Sequence, residues 1–245
     1  MDLKVPYLRD VEIEASANVL LAAYARRYGT EIRPPVDVES ILEKHLGLHL
    51  SFDDLCAKLA VPDVLGSLWL DRSEVIVDQT LDPDEHPSAL PRYRFTLGHE
   101  IGHWELHRRL VLAQRLQSKL FQQDPEPAII CRTSQRREPI ELQADAFAAA
   151  LLMPRAVVME HWQRLAGTKR LKVSELRGKA GGFLAAALAS PNREPRDQHD
   201  GLIEFFVRPL AGLFAVSAPA MRIRVEQLGL IVPDADEMVS LFEAE

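Results

Sequence analysis

Cysteine is scarce in this sequence, and its two cysteines lie far apart. Cys56 and Cys131 form no CxxC pair, which excludes a disulfide framework and argues against a zinc site built from cysteines. We expect both to be buried thiols. Long apolar runs are also missing, since the longest, residues 147–154 and 181–190, are far shorter than a membrane-spanning helix. With no apolar segment near residue 1, the sequence predicts a cytoplasmic protein without a membrane partner.

Positive charge is in deficit as well. The sequence has 29 Lys and Arg residues and 36 Asp and Glu residues, which gives a net charge of −7. Proteins that bind nucleic acids through their phosphates usually carry an excess of cations, so direct DNA binding is not expected. The hydrophobic fraction of 47% and the charged fraction of 27% are typical of one globular chain or two small domains. Collagen, coiled-coil and fully disordered chains are excluded.

Apolar spacing and cap residues predict an α+β fold. A first helix is expected over residues 10–28, ending at Gly29, and a short second helix should begin after the N-cap Asp37 and stop at Gly47. The rest of the N-terminal part predicts three strands and three longer helices. The strands are expected at residues 48–50, 65–70 and 74–78, and the helices at residues 92–120, 141–153 and 155–165.

The chain is expected to have three parts. Residues 1–166 form the main domain, residues 167–201 a variable or mobile insertion, and residues 202–245 a helical subdomain. This last part resembles a helix-turn-helix, with Ser217 as an N-cap. Its second helix carries only two cations, Arg222 and Arg224, so packing within the chain is favoured over DNA recognition.

An HExxH motif occupies residues 99–103 of a predicted helix. The i, i+4 spacing places His99 and His103 on one face, where both imidazoles can bind one tetrahedral metal ion. Glu100 lies beside them and can accept a proton from metal-bound water, which is the role of a general base. The alternative is a surface helix with solvated histidines.

A catalytic zinc site needs a third protein ligand and one open position. Glu141 and Asp145 are spaced i, i+4 on the next strong helix, so both can face the HExxH helix. We predict that Glu141 is the third ligand and that Asp145 accepts the free ring N–H of a ligand, with His99 as the expected partner. The alternative is a solvated acidic face that pairs with Arg136 and Arg137. The same ligand set would also accept manganese or cobalt.

Three other residues near the motif receive weaker predictions. His107 continues the histidine face, but a straight helix places it about 6 Å further along the axis. It is therefore not expected to reach the same ion. Tyr93 and Arg94 precede the motif and could stabilise an oxyanion.

Two segments of the sequence resemble the ImmA/IrrE family of zinc metallopeptidases. They are FTLGHEIGH at residues 95–103 and ELQADAFAAALLMP at residues 141–154. Weaker similarity at residues 33–38, 214–221 and 228–230 extends the resemblance over most of residues 10–232. The departures are a long segment between His103 and Glu141, the segment at residues 167–201, and Asp145, where many members carry Asn.

The resemblance implies a zincin-like core in which the HExxH helix packs on a small mixed sheet and the ExxxD helix crosses it. It also implies that zinc is held by His99, His103 and Glu141, that Glu100 activates water, and that Asp145 supports a ligand. Members of the family cut a cognate helix-turn-helix repressor, so the expected activity is site-specific proteolysis in stress response or mobile-element control.

Two further interpretations concern how a partner would bind. An edge strand such as Glu74–Asp78 could hold an extended peptide by backbone pairing. The alternative function is that of a non-proteolytic regulator that binds a repressor, or a toxin–antitoxin partner, in the same groove.

Overall fold

The computed structural model describes residues 5–118, 129–132, 138–179 and 195–232. It consists of two compact units, Met1–Pro154 and Arg155–Glu245. The mixed α+β class predicted from the sequence is confirmed, with a small sheet among a larger number of helices. The domain boundaries predicted above remain a prediction.

Six α-helices and four strands form the described part of the first unit. The helices are α1 (Asp10–Tyr28), α2 (Val38–Ser40), α3 (Leu55–Leu59), α4 (Leu90–Gly102), α5 (Arg108–Ser118) and α6 (Pro139–Leu152). The strands are β1 (His49–Asp53), β2 (Val64–Trp69), β3 (Glu74–Asp78) and β4 (Ile129–Arg132). Two π-helical turns, Ile41–His45 and His103–His107, and two 3-10 turns, Gln79–Leu81 and Pro87–Ala89, complete the unit.

The first two helices begin and end where local chemistry predicts. Helix α1 ends at Gly29, whose φ of 62° is left-handed and favours glycine. The side chain of Asp37 accepts a hydrogen bond from the Ser40 N–H and thereby caps α2. The first predicted helix is therefore confirmed, and the second is an α-helical turn continued by the π-helical turn Ile41–His45.

The four strands form one mixed sheet in the order β1-β3-β2-β4. Strand β3 pairs parallel with β1 and antiparallel with β2, and β2 pairs antiparallel with β4. The suggestion that Glu74–Asp78 is an edge strand is wrong, because this strand lies between two neighbours that occupy its backbone groups on both sides. Among the described strands, β1 and β4 lie at the edges.

Helix α4 packs against the sheet through β2 and β3, and against α6 on its other side. Small residues keep the two helices close. A Cβ atom on Gly98 would lie 3.2 Å from Ala148 Cβ, and one on Gly102 would lie 3.1 Å from Ala144 Cα. These distances are shorter than ordinary van der Waals contacts, so the two glycines allow an approach that a larger residue would prevent.

The helix predicted over residues 92–120 is interrupted at the histidines. Helix α4 ends at Gly102, the π-helical turn His103–His107 follows, and α5 begins at Arg108. A π turn closes i→i+5 hydrogen bonds and is wider than an α turn. The geometry between His103 and His107 therefore differs from that of a straight α-helix.

The second unit is described from Arg155 to residue 179 and from residue 195 to 232. Its elements are α7 (Arg155–Ala166), β5 (Leu171–Lys172), α8 (Val173–Lys179), α9 (Pro195–Phe214), α10 (Ala218–Gln227) and β6 (Ile231–Val232). Ser217 caps α10 by accepting from the Ala220 N–H, as its position predicts. Helix α9 begins before residue 202, and residues 180–194 of the predicted insertion lie outside the described residues. Across the described ranges, no single helix is both long and apolar enough to cross a membrane.

Candidate metal centre

The predicted site residues come from two neighbouring helices of the first unit. His99 and Glu100 lie on the last turn of α4, and His103 opens the π-helical turn that follows. Glu141 and Asp145 lie on α6, one turn apart. All except Asp145 are buried. The close packing of α4 on α6 therefore brings the two parts of the predicted site together.

The donor atoms of His99, His103 and Glu141 converge. The Nε2 atoms of the two histidines are 2.9 Å apart. The Nε2 atom of His99 lies 3.1 Å from Glu141 Oε2, and that of His103 lies 3.5 Å from Glu141 Oε1. All three residues thus direct a metal-binding atom at one point.

This spacing fits a tetrahedral metal ion. Donors held about 2.0–2.1 Å from a tetrahedral zinc ion lie about 3.3–3.4 Å from one another, and the three observed separations lie on both sides of that value. Two imidazoles and one carboxylate are a donor set typical of catalytic zinc, which keeps a fourth position open. The ligand roles of the individual residues remain a prediction, but the donors present suit the ion.

Asp145 lies behind His99. Its Oδ1 atom is 2.9 Å from His99 Nδ1, so this ring nitrogen donates its hydrogen to the carboxylate. In the neutral form of His99 that binds a metal, this bond leaves the lone pair on Nε2, which faces His103 and Glu141. A carboxylate in this position fixes the tautomer of a ligand histidine and raises its basicity.

Glu100 is fully buried, and its carboxylate lies against the sheet. Within the described residues, neither of its oxygens has a hydrogen-bond partner. A Cβ atom on Gly66 of strand β2 would lie only 2.6 Å from Glu100 Oε1. The absence of a side chain at Gly66 therefore creates the space that the carboxylate occupies.

Burial and close contacts shift the ionisation of the cluster. Burial raises the pKa of Glu100 to about 8. Burial also lowers the pKa of His103 to about 4, and the charge of His99 contributes to the same shift. For Glu141, burial opposes ionisation, but the contacts with His103 and His99 outweigh it and lower the pKa to about 2.

His99 shows the opposite balance. Burial acts to lower the pKa of its ring, but the contacts with Cys131, Asp145 and Glu141 outweigh burial and raise the pKa well above its usual value. The metal-free cluster therefore holds one cationic histidine among carboxylates. A cation is favoured at this point.

Cys131 was not predicted to lie near the site. It is buried on β4, opposite Gly66 of β2, and its sulfur lies within 4.8 Å of donor atoms of His99 and Glu141. Burial raises the pKa of this thiol, which disfavours the thiolate that binds metals. Nε2 of His103 lies 2.9 Å from His99 and 3.5 Å from Glu141, and Cys131 lines the cleft beside them. The expectation that both cysteines are buried is wrong for Cys56, which is exposed on the short helix α3.

Tyr93 and Arg94 face away from the cluster. The ring of Tyr93 stacks on Phe52 with centroids 5.7 Å apart, and the guanidinium of Arg94 donates to the carbonyl of Val36 at 2.6 Å. Their suggested role in stabilising an oxyanion is therefore wrong, because both polar groups are used inside the fold.

A partly open cleft leads to the cluster. It is lined by Leu65, Arg92, Phe95, Thr96, His99, Cys131, Glu141 and Asp145. Arg92 is the exposed cation of this lining and lies on the same face of α4 as His99. Unlike Tyr93 and Arg94, it can meet a carbonyl or carboxylate of a bound peptide.

Comparison with known proteins gives one family match for this region. Residues 84–186 match the model of the M78 peptidase family, described as an IrrE N-terminal-like domain. The match contains both helices of the cluster and confirms the resemblance inferred from the two sequence motifs. It ends at residue 186, so the IrrE-like segment also includes the first part of residues 167–201. No curated protein matches the chain.

Proposed function

We propose that the protein is a zinc-dependent endopeptidase that cuts a cognate helix-turn-helix repressor at one site. The convergence of three donor atoms beside a buried, unpartnered Glu100 carries the proposal. The match of residues 84–186 to a peptidase family supports the reaction class. The repressor, and with it a role in transcription regulation, follows from the ImmA/IrrE resemblance, as do the zincin-like description of the core and the helix-turn-helix description of α9 and α10.

Glu100 is suited to moving a proton in both directions. A bound zinc ion supplies Lewis acidity, which polarises a carbonyl and makes water a better nucleophile. Glu100 accepts a proton from the attacking water at its carboxylate and later gives it to the leaving amine. A pKa of about 8 lies near neutral pH, where a single group can act as both base and acid. Gly66 keeps room for the carboxylate during both steps.

Strand β4 is the best-placed edge for an extended substrate. It lies at one end of the described sheet, and its Cys131 lines the cleft. A peptide that pairs with the side of β4 that no described strand occupies would pass beside His99 and Glu141, with backbone hydrogen bonds supplying affinity and side-chain pockets supplying specificity. This replaces the earlier suggestion of β3, which has no free side.

The charges on α10 support a role other than DNA binding. Arg222 forms ion pairs with Asp200, Glu204 and Glu226 at 3.0–3.2 Å, and Arg224 is buried. Contacts with phosphates need cations that are free to reach the surface. Both candidate cations of this helix are held inside the second unit.

The Glu100→Gln variant tests the proposed function. This change removes the proton acceptor but keeps nearly the same shape, so His99, His103 and Glu141 can still bind zinc. Cleavage of the repressor encoded beside the gene should fall at least about a hundredfold, while zinc and repressor binding persist. Glu105→Gln is the matched control, because Glu105 lies in the adjoining π-helical turn and pairs with Arg108.

The same assay distinguishes the alternative. A non-proteolytic regulator would bind the repressor equally well with Glu100 or Gln at this position and would cleave it with neither. Regulation in cells that is unchanged by Glu100→Gln would overturn the peptidase proposal.

A further inference from the structure

A buried hydrogen-bond chain reaches His103 from the side opposite the metal cluster. The Nδ1 atom of His103 lies 3.0 Å from Nδ1 of His107, and the Nε2 atom of His107 lies 3.0 Å from Gln143 Oε1. The Nε2 of Gln143 donates to the carbonyl of Pro6 at 2.8 Å. The chain thus crosses from the π-helical turn to α6 and ends on the segment before α1.

The carbonyl of Pro6, at the end of this hydrogen-bond chain, fixes the orientation of the Gln143 amide and through it the position of the hydrogen on His107. The Pro6 carbonyl only accepts hydrogen bonds, so the amide NH2 of Gln143 must face it and the amide oxygen must face His107. An oxygen in that position requires a hydrogen on Nε2 of His107. Two ring nitrogens 3.0 Å apart share one hydrogen, so one Nδ1 donates and the other accepts. A neutral His103 that offers its Nε2 lone pair to a metal carries its hydrogen on Nδ1, so Nδ1 of His107 is the acceptor.

We propose that His107 and Gln143 are positioning residues that hold the hydrogen of His103 on Nδ1 and so keep its Nε2 lone pair directed at the metal. The inference rests on the proposed function only in treating the cluster as a metal site. It gives the two histidine ligands different supports, a carboxylate for His99 and a neutral imidazole for His103.

The π-helical turn makes this contact possible. In a straight α-helix, His107 would sit about 6 Å further along the axis than His103. Over the wider turn, the ring centroids of His103 and His107 are 5.2 Å apart, and the two Nδ1 atoms lie within hydrogen-bond distance. His107 is therefore not expected to bind the ion, as the sequence predicts, but its ring contacts the proposed ligand His103.

Without this support, the ring of His103 could carry its hydrogen on Nε2 instead. That tautomer has no lone pair to offer a metal. Loss of a hydrogen-bond partner behind a metal ligand typically costs roughly 10–100-fold in metal affinity. His107 and Gln143 should therefore affect zinc binding although neither touches the ion.

Zinc affinity of three full-length variants, measured by competition with a coloured chelator, tests the proposal. His107→Leu removes the acceptor and should weaken zinc binding roughly 10–100-fold. His107→Asn restores an oxygen close to the position of Nδ1 and should recover most of the affinity. Gln143→Leu should give an intermediate loss, because His107 stays in place but its tautomer is released. Unfolding curves of the metal-free variants check that each still folds.

Histidine ring 15N NMR of the zinc-loaded wild type reads the tautomers directly. We expect the hydrogen of His103 on Nδ1 and that of His107 on Nε2. Wild-type zinc affinity in folded His107→Leu, equal losses in His107→Asn and His107→Leu, or a hydrogen on Nδ1 of His107 would overturn the proposal. If His107→Leu should fail to fold, the NMR result and Gln143→Leu decide.

The proposed function and this inference can fail separately. A protein whose zinc affinity depends on His107 but whose repressor cleavage is absent would overturn the peptidase function and leave the positioning role intact. Cleavage that needs Glu100, together with a zinc affinity that does not depend on His107, would support the peptidase function and overturn the positioning role.

Discussion

Glu100 is the residue at which burial and reactivity are most directly linked. A carboxylate without hydrogen-bond partners is costly inside a protein, and here the cost appears as a pKa of about 8 in place of the ordinary 4.5. The metal-free fold therefore retains a proton on Glu100 over a pH range in which the unfolded chain has lost it. Burial without hydrogen-bond partners thus prepares Glu100 to carry a proton and also destabilises the metal-free protein.

This linkage predicts a pH-dependent effect of Glu100→Gln on metal-free stability. Between about pH 4.5 and 8 the folded wild type binds more protons than the unfolded chain at this position, so the stability of the wild type falls as pH rises. The variant lacks this pH-dependent contribution. The difference in free energy of unfolding, variant minus wild type, should therefore increase by on the order of a few kcal/mol from pH 5 to pH 8. Urea unfolding of both proteins at the two pH values measures the difference, and a gain that does not change with pH would contradict the assigned environment of Glu100.

The residues of the site differ in how far sequence could predict them. His99, Glu100 and His103 follow from a motif whose spacing is fixed by one helix, and Glu141 and Asp145 follow from the spacing of a second. Gln143 and Cys131 could not be predicted in this way, because their contacts with the cluster depend on pairing between separate elements. Gln143 follows Glu141 by two residues on α6, a spacing that does not place two helix side chains on one face, so no sequence pattern indicated its contact.

Helices α4 and α6 determine whether the two halves of the site meet. Gly98 and Gly102 on α4 face Ala148 and Ala144 on α6, so four small residues at i, i+4 spacing line the contact. The histidines follow Gly98 and Gly102 directly in the chain. A wider spacing between the helices would carry Glu141 away from both imidazoles.

The substitution Gly102→Ala tests this spacing. In a helix, alanine is favoured over glycine by about 0.5–1 kcal/mol, but at Gly102 the added carbon would lie 3.1 Å from backbone atoms of Ala144. Overpacking of this kind costs about 1–3 kcal/mol, so we expect a net loss of stability together with weaker zinc binding.

The matched control is Gly212→Ala in α9, where no atom lies within 4 Å of the added carbon. This variant should be stabilised and should bind zinc like the wild type. If Gly102→Ala behaved like its control in both measurements, the close contact between α4 and α6 would not be needed to assemble the site.

Elements with a strong local pattern were predictable, and those defined by distant partners were not. The helix at Asp10–Tyr28 and the strand at Glu74–Asp78 have the predicted bounds. Strand β4 was not predicted, since its four residues show little periodicity and are ordered by pairing with β2. The π-helical turn was also missed, because an i→i+5 turn has the same apolar pattern as the α-helix around it.

At the scale of the whole molecule, the cluster links metal binding to folding. The donors of His99, His103 and Glu141 are adjacent only in the folded first unit, because they come from helices separated in the sequence. An ion that binds the folded state and not the unfolded chain stabilises the fold by mass action. The acidic net charge of −7 favours cations in general but does not distinguish among them.

Zinc should therefore raise the unfolding temperature, and removal of zinc by a chelator should lower it reversibly. Above saturation, each tenfold increase in free zinc should add about 1.4 kcal/mol. Magnesium at the same concentration should have no such effect, because it prefers oxygen ligands and two of the three donors are imidazoles. Glu141→Ala should abolish most of the zinc response, whereas Glu105→Gln, outside the cluster, should preserve it. Thermal unfolding over zinc and magnesium titrations and after chelation measures these responses, and an equal stabilisation by magnesium, or one that survives in Glu141→Ala, would place the ion elsewhere on the molecule.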